Sequence, residues 1–155
     1  MLYKLNSKIW KRVNNAYHYG NVNQYGNAKE RYIVALILLV DDDPQMLRLL
    51  SDLIQLDGHR ALLAEDGEVA LTYFDHQVPD LIITDILMPN KEGLEFIAEV
   101  RELHPDLKII AYSGGGSADP ASYLEFASGM GADRVFSKPM PLALLRQEIK
   151  SLLEA

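Results

Sequence analysis

The feature that most constrains this chain is the run Val34-Ala35-Leu36-Ile37-Leu38-Leu39-Val40, which stops abruptly at Asp41-Asp42-Asp43. An unbroken β-prone apolar run, with no polar alternation, suits a strand buried on both faces of a parallel sheet. Parallel neighbours need crossover connections, so such a strand predicts alternating strands and helices in the rest of the chain. Pro44 stands where a first helical turn tolerates it, behind a possible cap at Asp43. Met46, Leu49, Leu50, Leu53, Ile54 and Leu56 follow at helical spacing until Gly58. Arg60 to Ala64 reads as a short strand, and Asp66-Gly67 opens a helix that ends near His76, before Pro79. Leu81-Ile82-Ile83-Thr84 is a second buried strand pattern, closing on Asp85.

The alternation continues to the end of the chain. Gly93 to Leu103 places Leu94, Ile97, Ala98 and Val100 on one helical face, and Lys108 to Tyr112 reads as a strand. A small-residue loop, Ser113 to Ala118, precedes a helix that Asp119 caps and that runs to Gly129. Arg134 to Phe136 is a fifth strand, and Pro141 opens a last helix with the stripe Leu142, Leu145, Ile149 and Leu152. Tyr73, Phe74, Tyr123 and Phe126 lie at spacings expected of packing residues. The four histidines, 18, 59, 76 and 104, show no ligand spacing and read as surface or turn residues. Five βα units predict an α/β domain built on a doubly wound five-stranded parallel sheet with helices on both faces.

Charge divides the chain. Residues 1–34 carry six basic residues against one acid, net +5, whereas residues 35–155 carry nine basic and twenty-one acidic residues, net −12. An acidic body argues against a nucleic-acid surface, because phosphate contacts supply most of that affinity. Residues 1–33 lack the pattern of a core element and read as a disordered basic leader. Lys29-Glu30 can be written AAG GAG, a ribosome-binding sequence, and Val34 can be written GTG, an alternative start, so the native domain is expected to span 34–155. Cysteine is absent, which excludes thiol chemistry and disulfides. The longest apolar run is too short to span a bilayer, and a cytoplasmic location is expected.

Ligands of doubly wound sheets bind beyond the carboxyl ends of the strands. Those positions hold Asp41, Asp42 and Asp43, then Asp85, then Ser113, then Ser137-Lys138-Pro139. Converging carboxylates repel unless a cation neutralises them, and oxygen-only donors suit Mg²⁺ or Mn²⁺. With a lysine and a hydroxyl opposite, they make a set suited to phosphoryl transfer.

These segments together carry a resemblance. Ile37 to Pro44, Pro79 to Pro89 with Glu92-Gly93, Ile109 to Gly115, and Gly131 to Pro139 make residues 35–155 resemble the receiver domain of bacterial two-component response regulators. The resemblance implies the flavodoxin-like strand order 2-1-3-4-5. It implies Asp85 as phosphoacceptor and metal ligand, Asp42 as a direct ligand, and Asp41 holding the metal or its waters. The backbone carbonyl of Leu87 would complete the set around Mg²⁺ or Mn²⁺. Ser113 would bind a phosphoryl oxygen, Lys138 would pair with the phosphate, and the peptide bond before Pro139 would be cis. The implied donor is a histidine kinase or histidine phosphotransfer protein, and the implied output is an unidentified protein that reads the altered surface. On this reading the module stands alone, without a DNA-binding domain or membrane segment, and is no metabolic enzyme. It catalyses only its own phosphorylation and dephosphorylation. The family's switch also uses an aromatic residue three positions before the lysine, where this chain has Val135. A competing reading takes Asp41 and Asp43 as the Asp-x-Asp pair of a haloacid-dehalogenase-type phosphatase. That reading leaves Asp85 without a role.

Overall fold

The computed structural model describes residues 34–88, 93–114 and 120–155. Five parallel strands, β1 (Leu36–Val40), β2 (Arg60–Ala64), β3 (Leu81–Asp85), β4 (Lys108–Ser113) and β5 (Arg134–Ser137), form one sheet in the order β2-β1-β3-β4-β5. The helices are α1 (Pro44–Leu56), α2 (Gly67–Phe74), α3 (Gly93–Leu103), α4 (Pro120–Gly129) and α5 (Leu142–Glu154). The order and layering are those expected from the sequence.

Successive strand residues face opposite sides, and this alternation divides the core in two. Ile37, Leu39, Ile83 and Ile110 pack with Leu47, Leu50 and Ile54 of α1 and with Leu145, Ile149 and Leu152 of α5. Leu38, Val40, Ile82 and Ala111 pack with Ala70 of α2, Phe96, Ile97 and Val100 of α3, and Ala127 of α4. Every residue of β1 and β3 is buried, which is why β1 reads as an unbroken apolar run and β3 opens on one, Leu81-Ile82-Ile83, before Thr84 and Asp85. The edge strand β2 exposes Arg60 and Leu63.

Local chemistry sets the helix starts. Asp43 caps α1 by accepting the Gln45 N–H at 2.8 Å, with Pro44 opening the first turn. Asp66 caps α2 by accepting the Val69 N–H at 2.8 Å. The peptide bond between Lys138 and Pro139 is cis.

Several details differ from the sequence reading. The first strand begins at Leu36, because the Ala35 N–H turns to His59 Nδ1 at 3.2 Å. The second helix ends at Phe74, and β4 and β5 each run one residue further, to Ser113 and Ser137. On α3 it is Phe96 that is buried, while Ala98 is exposed. Phe126, expected to pack, is 62% exposed on α4. His104 is half-buried and stacks on Phe74 with ring centroids 5.1 Å apart, and burial lowers its pKa. Residues 1–33, Glu92, Gly115–Ala118 and the Asp119 cap lie outside the described residues, as does the side chain of Tyr123.

Candidate phosphoacceptor site

The carboxyl ends of β1, β3, β4 and β5 bring the singled-out residues together. Asp41 directly follows β1, Asp85 closes β3, Ser113 closes β4, and Lys138 directly follows β5. Register fixes their heights: Val40 pairs with Thr84, Asp85 with Tyr112, and Ser113 with Ser137. The Lys138 N–H donates to the Ser113 carbonyl at 2.8 Å, extending the ladder one step so that its side chain crosses the sheet end.

Carboxylate oxygens of Asp41, Asp42 and Asp85 lie within 4.8 Å of one another. Asp41 is wholly buried, Asp85 nearly so, and Asp42 is exposed. Lys138 Nζ sits 2.6 Å from Asp85 Oδ2 and 3.5 Å from Asp41 Oδ2. The other oxygen of Asp85 accepts the Leu87 N–H at 3.0 Å. Asp41 Oδ1 accepts the Asp43 N–H at 2.7 Å. Ser113 is buried, and its hydroxyl donates to the Gly114 carbonyl at 3.3 Å, a long bond that a stronger acceptor would displace.

Burial raises the pKa of Asp85, and the hydrogen bonds from Lys138 and Leu87 only partly offset it. Burial acts to lower Lys138, but the hydrogen bond and charge of Asp85, joined by Asp41, raise it overall. Among the described residues, the two buried carboxylates of Asp41 and Asp85 thus share the one ammonium of Lys138, with the exposed Asp42 beside them. A surplus of buried negative charge is costly in isolation, and the all-oxygen donor set fits a hard divalent cation. Asp41, Asp42 and Asp85 are the side chains that would hold one.

Gly93 belongs to the site through its lack of a side chain. A Cβ there would lie 2.0 Å from the Asp85 carbonyl oxygen and 2.7 Å from the Ile86 Cα. The start of α3 can therefore close against the end of β3 only with glycine, and the Gly93 N–H donates to the Ile86 carbonyl at 2.9 Å.

Tyr112 escaped the sequence reading. It is wholly buried, and its hydroxyl donates to Asp41 Oδ2 at 2.6 Å. Burial, then the charges of Asp41, Asp85 and Asp42, push its phenol far above the ordinary range. The signal was present: a tyrosine in the otherwise aliphatic interior of β4 needs a partner for its hydroxyl.

The phosphatase reading loses its second aspartate. Asp43 faces its own helix as a cap, and its N–H braces Asp41. Val135 packs with the α2–α4 side of the core and Phe136 with the α1/α5 side, so Phe136 does not stand in for the switch aromatic.

Comparison with known proteins bears on the family and the fold. The chain matches the response regulator receiver domain family over residues 37–150. It is 37% identical over 117 residues to the transcriptional regulatory protein CpxR of Klebsiella pneumoniae, covering 76% of this chain and 48% of that protein. CpxR of Escherichia coli K12 is 34% identical over the same shares. The chain therefore spans about half the length of these curated relatives. Among solved structures, a CheY-like response regulator receiver domain protein from Methanospirillum hungatei superposes with a TM-score of 0.71 at 27% identity, covering 78% of this chain and 94% of that one. The receiver domain of NtrX from Brucella abortus gives 0.70 at 27% identity, over 77% and 98%.

Proposed function

Because this chain belongs to the response regulator receiver domain family of two-component systems, we propose that Asp85 is its phosphoacceptor, charged by the phosphohistidine of a partner kinase or phosphotransfer protein. The observation that carries the assignment is Lys138 Nζ, 2.6 Å from Asp85 Oδ2 at the carboxyl end of the sheet, with two further acids beside it. A carboxylate oxygen of Asp85 attacks phosphorus as the P–N bond to imidazole breaks, and the imidazole, already protonated on its other ring nitrogen, leaves as the neutral base with the bonding pair. The product is an acyl phosphate.

Lys138 would hold a phosphoryl oxygen beside Asp85, and the Ser113 hydroxyl would donate to another. Asp42 and Asp41, with Asp85 and the Leu87 carbonyl, would hold Mg²⁺ or Mn²⁺. The ion would supply the positive charge that offsets the acids and the phosphoryl oxygens when bound. Hydrolysis of the acyl phosphate by water returns Asp85 to its carboxylate and releases inorganic phosphate. The chain is thus a signalling module that turns over only its own phosphoryl group. Labelling from acetyl phosphate, run with Mg²⁺ and with chelator, tests this. Incorporation that depends on the cation is expected, and equal labelling without it would contradict the reading.

The output we assign to a protein partner that reads the altered surface, with the module in the cytoplasm. The net charge of −12 over residues 35–155 favours a protein over a nucleic-acid contact, and among the described residues no helix is long and apolar enough to cross a membrane. Ser113 is expected to carry the conformational response without an aromatic partner at Val135.

A further inference from the structure

From the donors around Lys138 we infer that Tyr112 is a positioning residue, whose hydroxyl satisfies Asp41 and thereby reserves the lysine for Asp85. The inference rests on the phosphoacceptor reading and deepens it.

The ammonium of Lys138 stands between two carboxylate oxygens, Asp85 Oδ2 at 2.6 Å and Asp41 Oδ2 at 3.5 Å. Burial alone does not favour the shorter contact. Asp41 is the more deeply buried acid, and the less solvated carboxylate has the greater need of a cation. The difference lies in the other donors. Asp41 already accepts two hydrogen bonds, from the Asp43 N–H at 2.7 Å on one oxygen and from the Tyr112 hydroxyl at 2.6 Å on the other. Asp85 accepts the Leu87 N–H on Oδ1, which leaves Oδ2 for the lysine. Tyr112 also places its ring 5.0 Å from the ammonium, close enough for a cation–π attraction. One residue thus occupies the competing acceptor and lies against the lysine as well.

The register makes this possible. Tyr112 pairs with Asp85 across β3 and β4, so its side chain rises beside the site on the α1/α5 side of the sheet. Phenylalanine at 112 would keep the ring and the packing but leave Asp41 Oδ2 short of a donor. Lys138 would be the cation within reach. Drawn toward Asp41, it would no longer be held beside the oxygen where a phosphoryl group arrives.

The test uses the full chain in four forms: wild type, Tyr112→Phe, Lys138→Met and the double variant. Initial rates of labelling from acetyl phosphate with saturating Mg²⁺ are compared. Tyr112→Phe should slow labelling about tenfold when Lys138 is present, the effect of one lost hydrogen bond to a charged group. In the Lys138→Met background the same change should cost less than about twofold, because coupled residues are non-additive. An equal loss in both backgrounds, or no loss in either, overturns the inference. Asp41→Asn removes the competing charge, so adding Tyr112→Phe to it should change the rate by less than about twofold. A further large loss there also overturns it, and this double variant strands no buried carboxylate if the single one folds poorly. A metal-free readout comes from thermal melts in chelator. The coupling between Lys138→Met and Asp85→Asn should shrink in the Tyr112→Phe background, and an unchanged coupling contradicts the inference. If wild type never labels at Asp85, the phosphoacceptor reading fails while the melts still decide the role of Tyr112.

Discussion

The two ends of the sheet use the same kinds of residue to opposite ends. At the amino end, the residue just before a strand braces the neighbouring strand. Asp80 accepts the Leu36 N–H at 2.8 Å while its own N–H donates to the Leu36 carbonyl. Asp133 does the same to Ile109, at 2.8 Å for each bond, and pairs with Arg101. His59 accepts the Ala35 N–H. At the carboxyl end, among the described residues, the clustered acids outnumber the cations that contact them. Asp41 and Asp85 share Lys138, Asp42 lies beside them, and burial raises the pKa of Asp85. An acid at the amino end closes a hydrogen-bond account; an acid at the carboxyl end is held ready for a ligand.

The largest expected effect sets one end against the other directly. Asp85→Asn should abolish labelling from acetyl phosphate, a loss of about a hundredfold or more, since no other group occupies that position. It should also raise the thermal midpoint of the metal-free protein, because it removes one charge from a repelling cluster. Asp133→Ala should do the reverse. The Ile109 N–H and Arg101 lose an acceptor, at a cost of about 1–3 kcal/mol, while labelling per folded molecule stays at the wild-type level. Parallel melts and labelling of the two variants check both halves.

Next comes the division of labour among the acids. Asp42→Ala should weaken Mg²⁺ binding more than Asp41→Ala, as read by isothermal titration. Asp42 is exposed and Asp41 is already engaged by Tyr112 and the Asp43 N–H. A larger loss at Asp41 would reverse the division.

A smaller effect follows from pH. The folded pKa of Lys138 lies above the ordinary lysine value of 10.5. Its ion pair therefore contributes stability that is fully present below that value and is lost as pH rises through the folded pKa. Metal-free melts of wild type and Lys138→Met should converge on the alkaline side, and a constant gap would contradict the sign. The smallest effect is expected from deleting residues 1–33, which should leave the thermal midpoint and labelling unchanged. A clear drop in either would show that the segment contributes to the domain.

Much of the functional end was legible in the chain because a parallel sheet carries its strand ends to one edge. Runs such as Leu36–Val40 and residues 81–84 announce their own burial, and the aspartate after each run must then lie at the crevice. The amino-end braces were not legible, since Asp80 and Asp133 look like ordinary turn acids until the register is known. Tyr112 was hidden for the same reason: its partner lies 71 residues away in sequence. Helical spacing identified α4 but not which side faces the core, so Phe126 was assigned to packing and is exposed. On α3 the bulk of Phe96 reaches the sheet where Ala98 does not.

The central claim is that Asp85 becomes an acyl phosphate. Borohydride reduces an acyl phosphate to the alcohol, so trapping the labelled protein and sequencing its peptides by mass spectrometry reads the site itself. The account predicts homoserine at position 85, in Mg²⁺-treated samples and not in chelator. Homoserine at 41 or 42 with position 85 intact would contradict it.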